Sequence, residues 1–330
     1  MDDLSNDMKL RWELLRQYGQ NSLSFHTMQG EISYFDDFPR GFIAFRDHGP
    51  YRFALTDPIC SPIEMSRVIN RFNNTHSSIL FFHITDSSAS TLERLGYYIN
   101  EIGEEVIIDL RSFSFDGRSK EDIRHLHNNA KRARVEVLEA YSDKWLYNQA
   151  QQITCSWLSE LKKSPREFQF VTRKPHYDDF FNVRKFYGME NGKVSAFVYF
   201  DPVWHNGRLI GYCPSILRRR PESPKGTLAW ILKNAMDKFR EEGVKNLYLG
   251  LMPAYNIEDD KISQFRYSWH TMTMFRWFYN SAITNWFYGF KTLAFHKERY
   301  RAVKKKVYMA TKSRLPALPL FHMGKLVKVL

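Results

Sequence analysis

One order of segments occurs twice in this chain, and it limits the folds open to it. Glu31–Phe35, Gly41–Arg46 and Tyr51–Leu55 are short, aromatic and β-branched. Asp47-His48-Gly49-Pro50 reads as a hairpin turn between the last two, and Asp57-Pro58 closes that hairpin. Pro62 stands where a first helical residue belongs, and the helix through Phe72 leads into the continuous apolar strand Ile79–Ile84. Later, Arg184–Glu190 and Lys193–Phe200 pair across Asn191-Gly192, and Arg208–Tyr212 adds a third strand. Leu228, Ile231, Leu232, Ala235, Met236 and Phe239 then share one helical face between Gly226 and Gly243, and the strand Asn246–Leu251 follows. Two copies of one α/β unit are expected, although too few residues are identical between them to count as a repeat.

A first helix, Met8 to Tyr18, carries Leu10, Leu14 and Leu15 on one face and stops at Gly19. Between the copies, Ser119 to Arg134 reads as a helix capped by Ser119 and Asp122, its later turns made basic by Arg124, Lys131, Arg132 and Arg134. It is either a basic ridge between two lobes or a charged surface helix. A second helix, Asp143 to Leu161, turns Trp145, Leu146, Ile153, Trp157, Leu158 and Leu161 toward a core. The domain boundary is set at 117/118: an N-terminal unit over 1–117, then the linking helix, the second unit and a basic tail over 118–330.

With 330 residues, 43% hydrophobic and 25% charged, the chain has material for two cores, which excludes disorder and collagen-like structure. Cys60, Cys155 and Cys213 lack paired spacing, so neither a disulfide framework nor a metal site is expected, and a reducing cytoplasm fits. The acidic start Met1-Asp2-Asp3-Leu4 has no secretory h-region. The uncharged run Trp277 to Phe290 is too short to span a bilayer, though it can lie on one. Of eleven histidines only His125 and His127 are close in sequence, and on a helix they face apart.

Charge is concentrated at one end. Residues 291–330 hold eleven Lys and Arg against one acid, Glu298, which is ten of the twelve net positive charges. Such a segment points to phosphate on RNA, lipid headgroups or a nucleotide, or else it is a solvated tail. Aromatics crowd just before it, from Phe265 and Trp269 through Trp277 to Trp286, Phe287 and Tyr288. They suit a bilayer interface, or they pack between lobes.

Tyr212 to Thr227 reads as a strand end, an arginine-rich loop and a helix start. Free N–H groups of that helix and the guanidinium groups of Arg218, Arg219 and Arg220 are expected to converge on a phosphate. The alternative is that the arginines pair with acids on a neighbouring helix. A single glycine and three prolines make this loop stiffer than a coenzyme A pyrophosphate loop. His296 beside Lys297 is either a proton-transfer group or a surface histidine.

Three stretches carry a resemblance: Ser215-Ile216-Leu217-Arg218-Arg219-Arg220-Pro221 with Pro224 and Gly226, Leu249-Gly250-Leu251-Met252-Pro253, and Gly289 to Tyr300. Leu15-Arg16-Gln17-Tyr18-Gly19, Leu55-Thr56-Asp57-Pro58 and Ile102-Gly103-Glu104-Glu105-Val106-Ile107-Ile108-Asp109-Leu110 agree with them. Together they resemble the C-terminal catalytic domain of phosphatidylglycerol lysyltransferases, a DUF2156-like family, over nearly the whole chain. The resemblance implies a tandem GNAT-like (acyl-CoA N-acyltransferase-like) α/β fold. It implies an acyltransferase in which a lipid hydroxyl attacks an aminoacyl-tRNA ester, with aminoacyl-tRNA as co-substrate, anionic phospholipid as partner and no metal or other cofactor. Lys297, His296 and Ser215 are the catalytic candidates. Arg218, Arg219, Lys225, Gly226, Thr227 and Arg299 are the substrate-binding candidates, with Lys297 and Arg299 placed on a late strand or its approach.

Two departures stand out. Ser215 occupies a place where the family commonly has an acid, which points to another amino acid or substrate. The lysyltransferases carry a multi-span membrane domain ahead of this part; the expectation here is that none precedes it and that the lipid is reached from the cytoplasmic, inner face of the membrane. The competing readings are an acyl-coenzyme A N-acyltransferase and a non-catalytic RNA- or membrane-binding protein of the same fold.

Overall fold

The computed structural model describes residues 5–160, 170–176, 182–257 and 264–328. In chain order the first half contains α1 (Asn6–Tyr18), β1 (Ser33–Asp37), β2 (Gly41–His48), β3 (Tyr51–Leu55), β4 (Ile59–Cys60), α2 (Met65–Asn73), β5 (Ile79–Ile84), α3 (Asp86–Arg94) and β6 (Tyr98–Asp109). The second half contains α4 (Glu121–Arg132), β7 (Glu136–Glu139), α5 (Lys144–Glu160), β8 (Arg184–Glu190), β9 (Lys193–His205), β10 (Arg208–Arg219), α6 (Thr227–Glu241) and β11 (Asn246–Pro253). It ends with α7 (Trp269–Asn280), α8 (Ala282–Tyr288), α9 (Phe290–Glu298), β12 (Val303–Thr311) and α10 (Ala317–Leu326). Leu161, the expected end of the second linking helix, lies outside the described residues.

All twelve described strands join one mixed sheet, in the order β1-β2-β3-β5-β12-β6-β11-β10-β9-β8-β7, with β4 on β2. Each half repeats the pattern expected from the sequence. In the first, β3 runs parallel to β5 across helix α2. In the second, β10 runs parallel to β11 across α6. The centre of the sheet is an exchange: β12, from the end of the chain, pairs with β5 of the first half, while β6 of the first half pairs with β11 of the second. β6 and β12 also pair with each other, from Val303 opposite Ile107 to Thr311 opposite Tyr98. Each half therefore supplies a strand to the other.

Alternating side chains give the sheet two apolar faces in each half. Against the second half, α6 buries Ile231, Ala235, Met236 and Phe239 over Val106, Ile108, Phe186, Val198 and Leu247. On the opposite face α5 and α1 contribute Leu146, Ala150, Ile153, Trp12 and Leu15. Here the expected face of α1 is corrected. Leu10 is exposed, whereas Trp12 is buried edge-on between Phe25 and Trp204, and Arg11 bonds Asp36 at 2.9 Å over the Tyr34 ring. The large ring of Trp12 shares the inner face with Leu15, and its burial turns Leu10 outward. The first half is filled by α2 and α3 on one side and α10 on the other.

The linking helix also differs from expectation. Lys120 stands at the N-cap of α4 with no side-chain cap, after a short 3-10 turn over Arg118–Lys120. Glu121 and Asp122 in the first turn and Lys131 and Arg132 in the last still favour the helix dipole.

Candidate active site

The parallel pairing of β10 with β11 holds only at Gly211 opposite Asn246 and Tyr212 opposite Leu247; β10 then follows β9 up to Arg219. Past that point β11 takes an irregular step between Tyr248 and Gly250, where it pairs with β6. Gly250 has φ +75°, and a Cβ placed there would lie 3.6 Å from Lys297 Nζ. Lys297 projects from α9 and donates to the Leu251 carbonyl at 2.8 Å. The expected strand for Lys297 is thus a helix, and Arg299 is its C-cap. Residues one apart on a helix differ by about 100°. His296 accordingly turns outward while Lys297 turns to the sheet.

Burial brings the Lys297 ammonium down to about 8, against the attraction of Cys213 and Glu105. Glu105, on β6, sits opposite Leu251 on one side and Lys305 on the other, so the first half contributes a carboxyl beside the lysine of the second. Burial pushes Glu105 up to about 7, opposed by Ser22, Lys297 and Lys305. Burial also raises Asp57, against hydrogen bonds that include Thr85 N–H at 2.8 Å and Asn21 Nδ2 at 3.2 Å. Asn21 reaches the His83 carbonyl at 3.0 Å as well. Buried His83 is held near 3, neutral at any physiological pH, with Lys297 among the charges it feels.

A second polar knot stands beside this cluster. Asp201 on β9 is fully buried and accepts from Arg173 Nε at 2.9 Å and Nη2 at 2.5 Å, and it meets His26 Nε2 at 3.1 Å. Burial alone would raise its pKa; Arg173 and His26 outweigh that and hold it at about 2. The knot ties the 3-10 turn Ser24–Met28 of the first half to β9 of the second.

The remaining expected residues are dispersed. The arginine-rich loop is a correction: β10 continues through it to Arg219. Neighbours on a strand face opposite sides. Arg218 is buried with its guanidinium 5.0 Å from the Trp157 ring, whereas Arg219 is exposed and bonds the carbonyls of Arg220 and Pro221. Arg220 takes a third direction, to the Val194 carbonyl at 2.9 Å and Gln149 at 3.0 Å. The three guanidinium groups do not converge. Ser215, in the bulge of β10, donates to the Tyr199 carbonyl at 3.3 Å. Thr227 sends both its N–H and its hydroxyl to Pro224 O, and Lys225 is exposed. Gly226, at φ +97°, packs so close to α4 that a Cβ would lie 2.1 Å from Leu126 O. His296 is exposed; burial and Arg299 lower its proton affinity. Arg299 contacts His296 Nδ1 at 2.5 Å and covers Phe295.

Sequence reasoning quoted Thr56-Asp57 and Glu104-Glu105 without giving them a role. A signal was present in the second pair. Two adjacent acids inside the apolar strand Ile102–Leu110 must face opposite sides of the sheet, and both are buried. Glu104 turns to Asn256, which donates to it at 2.9 Å.

The family model for the phosphatidylglycerol lysyltransferase C-terminal region matches residues 12–311, which takes in all the described strands and every group described for this site. The chain belongs to this family. A phosphatidylglycerol lysyltransferase of Bacillus subtilis is 23% identical over 322 residues, covering 95% of this chain but 36% of that protein. The chain thus spans about a third of the length of such relatives. Among solved structures, L-PGS from Bacillus licheniformis superposes with a TM-score of 0.80 at 19% identity, over 98% of this chain and 97% of that one. The C-terminal domain (DUF2156) of a putative lysylphosphatidylglycerol synthetase from Agrobacterium fabrum gives 0.79 at 18%, over 97% and 96%. The chain therefore shares its overall fold with these two solved structures. Among the described residues no helix is long and apolar enough to cross a membrane.

Proposed function

We propose that this chain transfers an aminoacyl group from aminoacyl-tRNA to the hydroxyl of an anionic phospholipid at a membrane surface. The observation that carries the reading is the Lys297 ammonium, withdrawn from water beside the opening between β10 and β11 in a member of this family. When a hydroxyl attacks an aminoacyl ester, negative charge gathers on the carbonyl oxygen, and a preorganised donor in a dry site stabilises it. With a pKa of about 8, Lys297 is mostly an ammonium at neutral pH. It is also acidic enough to give a proton to the departing ribose oxygen, and the proton lost by the attacking hydroxyl then restores it, so that one ester is exchanged for another with no net proton change. Exposed Arg219 and Lys225, together with Arg299, are assigned to phosphate contacts; Ser215 and His296 are left without a chemical step. The repeated parallel pair bridged by a helix, β3/α2/β5 and β10/α6/β11, supports a tandem GNAT-like ancestry for the two halves.

The membrane side of the reading is supported by α7 to α9. Trp269, Trp277, Trp286 and Phe295 each expose more than half of their surface, and residues 264–306 hold nine Lys and Arg against Glu298. The acyl-coenzyme A alternative is disfavoured by the start of α6, where Thr227 spends its amide on Pro224 and Gly226 is pressed on Leu126. The test is direct: purified protein, each charged tRNA and a lipid extract should yield a ninhydrin-positive lipid. No product with any of the twenty removes the proposal.

A further inference from the structure

The β2–β3 hairpin meets the last helix through two histidines. His48, the final residue of β2, and His322, on α10, face each other with Nδ1 to Nδ1 at 3.0 Å and ring centroids 5.2 Å apart. Both are half-buried, and the fit is close. A Cβ at Gly49, in the turn, would lie 2.5 Å from His322 Cε1, and the Tyr51 ring stands 5.1 Å from that of His322.

Two Nδ1 atoms share a hydrogen bond only while one carries a proton and the other does not. The first proton added to the neutral pair goes to Nε2 of the donating ring, and the contact survives as imidazolium to imidazole. The second must take the accepting Nδ1. Its arrival breaks the bond and sets two N–H groups and two positive charges face to face.

The surroundings do not absorb that charge. Arg46, two residues back on the same face of β2, and Lys325, three residues on along α10, are cations; with burial and His322 they lower the proton affinity of His48, burial most of all. β3 turns Tyr51 toward the pair, and its Arg52 pairs instead with Asp47 at 2.7 Å. Glu31, ahead of β1, is taken by Lys174 at 3.0 Å and by Arg46 at 3.7 Å, and Lys328 acts on it as well.

α10 is held in two other ways. Met323 and Leu326 bury against Phe53, Leu80 and Met309, and the chain just ahead of the helix is tied where Ser268 Oγ donates to the Arg314 carbonyl. Leu318 and Phe321 face outward and add nothing to the grip.

We propose that His48 and His322 form an acid-sensitive clasp: α10 stays on the hairpin while the two rings share a proton, and it loosens when both are charged. Nothing in this depends on the aminoacyl-transfer reading. The sign is fixed by linkage. A histidine that binds protons less readily folded than unfolded loses stability as pH falls below the ordinary value of about 6.5, and here the loss falls on α10.

The experiment measures hydrogen exchange of the full chain at the amides of α10 and of α6, at pH 7.5 and pH 5.0, corrected for the intrinsic rate. Protection of α10 is expected to drop at least tenfold on acidification, while that of α6 changes less than twofold. His48→Asn and His322→Gln keep a hydrogen-bonding group that cannot charge, and each should shrink the α10 drop to below threefold. A wild-type α10 equally protected at both pH values, or a drop undiminished in both variants, would overturn the clasp. Should either variant fail to fold, ¹⁵N NMR of the wild-type imidazole rings decides: α10 protection should fall in step with the second protonation of the pair, and two doubly protonated rings beneath a still protected α10 would refute the proposal.

Discussion

Lys297, carried on a helix, donates its ammonium to the carbonyl of Leu251 in the middle of the sheet at 2.8 Å. A long flexible cation is thereby fixed at one point beside the opening of the strands, and its charge is held away from water. Lys297→Met is expected to lower aminoacyl transfer by roughly 100-fold or more while the protein stays folded, measured as initial rate against circular dichroism. The pH response has a definite sign. A lysine whose pKa is depressed to about 8 binds fewer protons folded than unfolded, so its cost is full below pH 8 and is relieved as pH rises toward the ordinary lysine value. Melting curves of wild type should therefore gain on those of Lys297→Met between pH 8 and 10, and a constant difference across that range would contradict the assignment.

Glu105 behaves in the opposite sense. Its carboxyl, pushed up to about 7, stays protonated in the fold where the unfolded chain is already ionised. Stability from this group is greatest below the ordinary glutamate value and declines as pH rises through 7. Glu105→Gln should melt higher than wild type at pH 7.5, with the gap closing toward pH 5. A variant that is less stable at both values would show that the carboxylate is paired in the fold after all.

Arg218 and Arg219 are neighbours in sequence and opposites in setting. Arg218→Ala removes a buried guanidinium over Trp157 and is expected to cost about 2 kcal/mol in denaturant unfolding. Arg219→Ala, on the exposed face, should stay within about 0.5 kcal/mol. Equal losses would mean that the strand does not alternate there.

Trp277 and Trp286 stand 61% exposed on consecutive helices amid cations. Replacing both by serine should reduce sedimentation with vesicles of anionic lipid by about tenfold and leave the melting temperature unchanged, because neither supports the core. Each Lys or Arg near such a surface contributes about 1 kcal/mol, so the binding should weaken steeply with salt. Undiminished binding of the double variant would move the membrane contact elsewhere.

Much of the architecture was legible locally. Asn191 and Gly192, at φ +49° and +74°, make the hairpin turn that their types require, and β8 spans Arg184–Glu190 as read. The α6 face from Ile231 to Phe239 is buried as its spacing indicated. Where the strand signal faded, at Ser215 to Arg219, the sequence suggested a loop, because three arginines rarely continue a strand. Pairing with β9, from Phe200 to Ala196, holds Arg218 and Arg219 in one nonetheless, and Arg220 follows its end.

Periodicity and turn residues are properties of neighbours in the chain, so this sequence by itself indicated α1, α2, α4, α5 and α6, its hairpins and the duplicated order of its segments, while α9 stands where a strand was expected. Which strand lies beside which is a property of the whole sheet. Nothing local in Val303–Thr311 announces that it will pair with Ile84 of the first half, nor in Ile102–Leu110 that it will lie against Leu251. Only that exchange of strands brings Glu105 of the first half beside Lys297 of the second. Burial, which strips water from those groups and shifts their proton affinities, exists only once the two halves have closed on each other.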